Sequence, residues 1–310
     1  MSTFETLTEL LHRKEGSSRR ISQNPALLSR AVLYIFLILS SIAMLAPFVY
    51  MVSVSLKPDY ELQNISSLSF LRTINWRNYV TAWKRANFSQ YAWNTVVYAV
   101  ISTVGQVALG AVAGYSFARL KFRGSNLLFL LVLITMMIPF QLLLVPLFVM
   151  MKHWPLAGGN NFWGAGGTGL VDSIQGLLLP NLVTPLGIFL MRQFTLSLPS
   201  ELADAARIDG AGEFTIFSKI MLPLTKPALV TLGVFAFQDA WNDFTWPLVI
   251  STTAQSRTLQ LGLQIFQDQS LTEWGPLMAG TTITVLPLVL IYTLGQQYFV
   301  EGIALTGVKG

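Results

Sequence analysis

The sequence predicts an all-α, polytopic membrane protein with six transmembrane helices. Three observations carry this. Of 310 residues, 53% are hydrophobic and only 11% charged, whereas soluble domains carry about a quarter charged residues. So few charges cannot coat a globule of this size, so the bilayer is the solvent. Second, six apolar stretches approach the length of about 20 residues that crosses the hydrocarbon layer. Third, Lys and Arg are distributed unevenly between those stretches, which sets orientation in a membrane.

Residues 1–30 form a polar leader. Within it Phe4, Leu7, Leu10 and Leu11 sit beside Arg13 and Lys14, a pattern that fits either a short helix on the membrane surface or a solvated tail. The first span, 31–56, is uncharged up to Lys57. It is longer than the roughly 7–15 apolar residues of a signal peptide, so a retained anchor is expected. The second span, 95–117, ends before Arg119, and the third, 125–151, ends at Lys152. The fourth, 174–191, is short and carries Pro180 and Pro185. The fifth is 228–250 and the sixth 277–299. Pro and Gly are tolerated inside such helices where neighbours satisfy the freed carbonyls. The expected organisation is the leader followed by one six-span domain, 31–310, with a polar loop over 192–227.

Thirteen of the twenty basic residues fall in the leader, the 2–3 loop, the 4–5 loop and the C-terminal tail. The positive-inside rule therefore assigns both termini and the 192–227 loop to the cytoplasm. None of the eight Trp lies in a segment so assigned. The net charge of +5 is explained by this topology, and no nucleic-acid partner is expected. The absence of Cys excludes disulfides and thiolate metal sites. His12 and His153 are far apart in the chain, and neither His-Glu-x-x-His nor Gly-x-Ser-x-Gly occurs. No catalytic or metal-binding residues are expected, and the chain is not read as an enzyme. No Gly-x-x-x-x-Gly-Lys-Ser/Thr loop is present to cradle ATP.

In the 192–227 loop, Pro199 or Ser200 starts a helix whose first turn holds Glu201 and Asp204, favoured there by the helix dipole. Ala203, Ala205 and Ala206 leave room for a close approach. Gly210 and Gly212 interrupt the helix, because Gly adopts positive φ cheaply. A second short helix follows, with Phe214, Phe217 and Met221 spaced for one face, and Pro223 and Pro227 end it. The expected product is a bent pair of short helices that either plugs a partner's cleft or lies on the membrane surface alone.

The fifth span carries Asp239, Asn242, Asp243 and Trp246, spaced i, i+3, i+4, i+7 for one helical face. An Asp at a helix centre costs about 2.5–3.5 kcal/mol against lipid, so these residues are expected to face protein or water. They fit a wet solute path, in which carboxylate and amide meet hydroxyls and Trp offers a flat face. They fit equally a polar contact to a partner or a local helix break. Gln141, Gln175 and Asn181 are further candidates of the same kind. The Gly-rich stretch 152–173 is expected on the outer side, as a flexible connector or a contact for a docked protein.

Residues 204–223 have a more specific reading. Ala205, Ala206, Gly210, Ile220, Leu222 and Pro223 fall without a gap on the Glu-Ala-Ala loop pattern of ABC importer membrane subunits, with Asp204 in place of the leading Glu. Phe88, Tyr91 and Asn94-Thr95 before span two resemble the sugar-importer branch of that family. So do Ala113-Gly114-Tyr115, Phe117-Ala118-Arg119 and Phe122-Arg123-Gly124 after it. Trp241-Asn242-Asp243-Phe244 with Pro247-Leu248, and the ending Gly307-Val308-Lys309-Gly310, extend the likeness to about residues 30–310.

The resemblance implies a type I ABC importer permease fold, in the smaller of two paired permeases of a carbohydrate importer. It implies a second permease, two ATPase subunits that bind ATP and Mg, and an extracytoplasmic solute-binding protein. The setting would be a bacterial or archaeal cytoplasmic membrane. Asp204, Ala205, Ala206, Gly210, Ala211, Phe214, Phe217, Ile220, Leu222 and Pro223 would receive force from an ATPase. The Trp241–Phe244 motif recurs in permeases for different sugars, which favours a structural role for it. The 152–173 connection is longer than in the plainest members. Other solutes, such as a polyol or glycerol phosphate, stay open, as does an ion-coupled transporter using Asp239 and Asp243.

Overall fold

The computed structural model describes residues 25–62, 74–267 and 272–307; the expected leader helix around Phe4–Leu11 lies outside them. Contacts divide the chain into two units, Met1–Met51 and Val52–Gly310. The first holds most of helix α1, Pro25–Ser55. Its apolar side chains are exposed all along, Phe36 at 66% and Met44 at 74%. A helix apolar all round needs an apolar environment, and here that is lipid.

The second unit is helical apart from one isolated bridge between Gln267 and Thr272 among the described residues. After a short turn of helix at Asp59–Leu62, its main helices in order are α2 (Arg77–Arg85), α3 (Phe88–Arg119), α4 (Ser125–Thr135), α5 (Phe140–Lys152), α6 (Ile174–Leu178) and α7 (Pro185–Ser197). Then come α8 (Glu201–Ile208), a helical stretch Glu213–Leu224, α9 (Lys226–Asn242), α10 (Thr245–Ile250), α11 (Leu259–Leu263) and α12 (Trp274–Gly307).

Helices α1, α3 and α12 are each long and apolar enough to cross a membrane alone. Three further spans pass that test only as bent pairs, so up to six spans are present among the described residues. The third expected span is not one helix: α4 and α5 meet at 103°. Pro139 lacks an N–H and drives Ile138 out of the helical region, so the chain turns there. The fourth span bends by 42° between Ile174–Asn181 and α7. Ser173 Oγ and Thr184 Oγ1 accept from the N–H of Gly176 and Gly187 at 3.1 and 3.3 Å, so each half has its own N-cap. The third bent pair joins Glu213–Leu224 to α9 at 77°. Only α9 and α10 belong to the apolar fifth stretch, and it too is broken, at Asp243–Phe244.

Helix α3 is the central strut, packed on α7 and α9. Gly110 and Gly114 make this possible. A Cβ on Gly114 would lie 2.5 Å from Met191 Cβ and 2.8 Å from Arg192 N, so only Gly lets α7 come this close. On one side a core of Phe88, Tyr98, Trp241, Trp246, Phe266 and Leu277 forms. The buried indoles of Trp241 and Trp246 donate to Thr284 O and Gly176 O, each at 3.0 Å, satisfying their N–H groups. Towards the other end Ala111, Met191, Ala228 and Leu232 form a second cluster.

Candidate functional site: a self-packed loop and a polar cleft

The loop between α7 and α9 starts from a clamp. Arg119, at the end of α3, donates through Nη2 to the carbonyls of Thr195 (2.9 Å) and Leu198. Arg192 Nε reaches Phe117 O at 3.3 Å in the opposite sense. Two helix C-termini are thus each held by the other's arginine.

Helix α8 follows. Glu201 and Asp204 occupy its first turn, where the dipole favours negative charge. It ends at Gly210, whose φ is +80°. Ala211 N–H donates to Ala206 O at 2.9 Å and Gly210 N–H to Arg207 O at 3.1 Å, the two bonds of a Schellman motif. Nothing lies within 4 Å of where a Cβ on Gly210 would be. The requirement for Gly is therefore one of φ alone. Gly212 has φ −73° and equally open surroundings, so of the two expected interrupters only Gly210 needs to be Gly.

The second arm, Glu213–Leu224, folds back on the first. Ile216–Met221 is wound as π-helix, in which each residue advances less around the axis than in an α-helix. The expected single face of Phe214, Phe217 and Met221 is lost as a result. Met221 is buried, Phe217 packs on Tyr115 in a tilted pair with ring centroids 5.2 Å apart, and Phe214 is 80% exposed. Ala203, Ala206, Ile216 and Met221 pack with Tyr115 as the loop's own core. The small residues therefore serve close approach within the chain; Ala205 alone of the three faces outward. Of the family-derived set, Asp204, Ala205, Gly210, Phe214 and Pro223 are exposed. Ala206 is buried, and Ala211, Phe217, Ile220 and Leu222 are half-buried.

Charges lock the two arms. Arg207 Nη1 meets Asp204 Oδ1 at 2.7 Å and its Nε meets Glu213 Oε1 at 2.8 Å. Tyr115 Oη donates to Glu213 Oε2 at 2.9 Å. The Arg207 hydrogen bond, helped by Tyr115, holds the Glu213 carboxyl below the usual range despite partial burial. Arg207 and Glu213 were not singled out from sequence, and Tyr115 only as part of the Ala113-Gly114-Tyr115 likeness. Arg207 and Glu213 are six apart, a spacing no continuous helix brings together; the reversal at Gly210 pairs them. Ile208 was also missed, although at 88% it is the most exposed large hydrophobic side chain described.

The second feature is a cleft of about 480 Å³ lined by Tyr98, Gln106, Phe140, Asn181, Thr184, Gln238, Asp239, Asn242 and Asp243. The break after Asn242 shapes it. Asp243 Oδ1 accepts from Trp246 N–H at 3.2 Å, capping α10, and Oδ2 accepts from Tyr98 Oη at 2.7 Å. Asn181 Nδ2 donates to Tyr98 Oη at 2.6 Å, and Gln106 Nε2 to Asn181 O at 2.9 Å. Thr184 Oγ1 completes the chain on Gln106 Oε1 at 3.1 Å. Asp239 and Asn242 are exposed on α9.

Two expected members are elsewhere. Trp246 is fully buried and bonded to Gly176 O, because the break turns α10 off the line of α9. Gln141 is exposed outside the lining; Phe140, one position earlier on α5, lines the cleft instead. Gln175 likewise lies outside it, and Asn181 within. Tyr98, Gln106, Thr184 and Gln238 were missed, though polar side chains inside apolar spans were a usable signal for them. The lining presents two carboxylates, amides and hydroxyls, and no Lys or Arg. Such a surface suits an uncharged, hydroxyl-bearing solute better than an anion.

Broken apolar helices around a small-residue strut, with a polar cleft at one break and a self-packed loop between spans, define a membrane-embedded permease. The chain matches the family model for the binding-protein-dependent transport system inner membrane component over residues 106–304. It belongs to that family and is a multi-pass inner-membrane protein. It is 32% identical over 284 residues to the arabinooligosaccharides transport system permease protein AraQ of Bacillus subtilis, covering 91% of this chain and 96% of that one. It is 30% identical over 273 residues to the diacetylchitobiose uptake system permease protein NgcG of Streptomyces coelicolor (86% and 85%). Against the sn-glycerol-3-phosphate transport system permease protein UgpE of Yersinia enterocolitica it is 32% identical over 236 residues (74% and 79%). Its fold matches a chain in the crystal structure of a bacterial ABC transporter that imports the acidic polysaccharide alginate. There the TM-score is 0.74 and the identity 22%, covering 89% of this chain and 98% of that one. The expected type I ABC importer permease fold is thus observed, with three of its spans bent.

Proposed function

We propose that this chain is one of two paired permeases of an ATP-driven importer for an uncharged sugar or oligosaccharide. Residues 31–310 form the six-span body, the leader 1–30 and both termini lie in the cytoplasm, and the loop within 192–227 seats in an ATPase subunit. Two such ATPases bind ATP and Mg and carry out hydrolysis, a second permease completes the path, and an extracytoplasmic binding protein delivers solute. ATPase closure moves the loop, and the clamp of Arg119 and Arg192 passes the movement into α3 and α7. The two permeases rock and expose the cleft alternately to each side.

The observation that carries this is the loop. Its core is satisfied within the chain, yet Ile208 and Phe214 stand 88% and 80% exposed on a rigid bend, the form of knobs that a partner buries. The sugar reading is supported by the names of the arabinooligosaccharide and diacetylchitobiose relatives and by the cation-free cleft. The glycerol-phosphate relative supports an anionic solute, which the two cleft carboxylates oppose.

The test is to reconstitute the purified complex in vesicles and measure solute uptake with binding protein loaded with arabino-oligosaccharide, diacetylchitobiose or glycerol phosphate. Uptake of one of the neutral sugars, dependent on ATP, is the expected result. Uptake of glycerol phosphate alone would reverse the solute class. Uptake without the ATPases that collapses with an ion gradient would select ion coupling through Asp239 and Asp243.

A further inference from the structure

A pocket of about 640 Å³ lies where α3 ends and α4 begins, beside the base of the loop, and its lining includes Arg119, Lys121, Arg123, Arg192, Asn126 and Leu127. No Asp or Glu lines it. The ion pairs found among the described residues use none of its four cations. Arg119 Nε is buried and has no acceptor among the described residues. Helix α4 opens at Gly124, φ +84°, with no side-chain cap, so its dipole and first N–H groups add to the positive field. The pocket borders an apolar surface: Leu127 is 62% exposed, and Leu128 and Leu131 beyond it on α4 are also exposed.

We infer that this pocket binds the headgroup phosphate of an anionic phospholipid, whose acyl chains lie along the exposed leucines of α4. Among the described residues none of the four cations has an ion pair. Arg119 and Arg192 are held by carbonyls, Arg192 also over the Phe129 ring at 4.1 Å, which leaves Lys121 and Arg123 as the free charges. These, with an orphaned buried donor and an uncapped helix start, call for an anion of more than one acceptor atom. The exposed leucines favour an amphipathic occupant over free phosphate, and basic pockets between membrane helices take such headgroups. The site goes beyond the transport reading and stands without it. Because Arg119 also holds the carbonyls of Thr195 and Leu198, a bound headgroup would firm the clamp from which the loop springs.

The test uses the full chain in the complex it forms in membranes. The complex is exchanged into phosphatidylcholine nanodiscs carrying a minor fraction of phosphatidylglycerol, and retained lipid is counted by native mass spectrometry. Wild type should retain phosphatidylglycerol selectively. The double substitution Lys121→Gln, Arg123→Gln should weaken retention by roughly five-fold per cation, roughly 25-fold together. The conservative pair Lys121→Arg, Arg123→Lys should keep it. Should the double variant fail to insert, wild type decides alone. Equal retention of both lipids by wild type overturns the site. Thermal protection by inorganic phosphate in pure phosphatidylcholine, equal to that by phosphatidylglycerol, overturns the lipid as occupant. Unchanged retention in the double variant overturns the residues named.

Discussion

The loops at 152–173 and 198–225 both set glycines between apolar spans, yet they hold their shapes by opposite means. The first has no apolar core of its own. It is wound from backbone, with positive φ at Leu156, Gly158, Gly159, Gly164, Gly166, Gly169 and Asp172, around the buried side chain of Asn160. That amide donates to Lys152 O and Trp154 O at 2.8 and 3.0 Å and accepts from Gly167 N–H at 2.8 Å. The expectation of a flexible connector is replaced by a close-wound one. Asp172 ties it to the loop after α10, accepting from Thr252 Oγ1, Thr253 N–H (2.8 Å) and Ser256 Oγ (2.7 Å). The second loop is two helical arms on an apolar core, and needs positive φ only at Gly210. In one loop the steric demand is spread over many residues; in the other it is concentrated at a single hinge.

The largest effect should therefore come from Gly169→Ala. Its φ of +62° costs an L-residue about 1–2 kcal/mol, and its new Cβ would stand 2.3 Å from the carbonyl oxygens of both Met151 and Lys152. Backbone cannot yield as a flexible side chain can, so the yield of monodisperse protein after detergent extraction should fall several-fold. A normal yield and melting temperature would erase the contrast between the loops.

Gly210→Val should come next, and should differ in kind. Strain at φ +80° is about 1–2 kcal/mol or more for a β-branched residue, and nothing lies within 4 Å of its Cβ. The spans should insert normally and the ATPases should still bind nucleotide, while transport drops sharply. Normal transport with normally bound ATPases would remove the loop from the coupling role.

The charge lock should matter less, since exposed ion pairs contribute about 0.2–1 kcal/mol. Glu213→Gln should speed amide exchange across 200–224 by less than about five-fold. The lock also has a pH signature. Glu213 is held below its ordinary value of about 4.3, so its stabilisation is present above that pH and is lost as pH falls through the folded-state value. Exchange in the loop should therefore rise only on acidification below about pH 4, and Glu213→Gln should flatten that rise. A rise between pH 6 and 8 would point to another group. The smallest effect belongs to Gly212→Ala. Its φ of −73° and open surroundings should leave stability unchanged or raised by about 0.4–1 kcal/mol; a clear loss of transport would show that a partner approaches that backbone closely.

Much of the fold was legible in residue order. Long apolar runs closed by Arg119 or Lys152 marked span ends, and the Asp204–Pro223 pattern marked the loop and its bend. The cleft was read in part. Asp239, Asn242 and Asp243 line it, but Trp246 does not, because Asp243 caps a new helix and ends the face that spacing had extended through it. Pro139 carried the signal for the 103° turn, yet proline is also tolerated in unbroken membrane helices, as Pro47 in α1 and Pro287 in α12 show.

By itself the sequence determined what depends on composition and on neighbours in the chain: solvent class, the places where apolar runs lie, and the positive φ at Gly210. Those follow from hydration and from sterics within a few residues. Only the tertiary structure decided that Ala206 faces inward, that Tyr98 meets Asp243 145 positions away, and that Arg207 bridges Asp204 and Glu213. Each of these depends on which backbones come close. That was settled by the absence of side chains at Gly110 and Gly114 and by the points at which broken helices change direction.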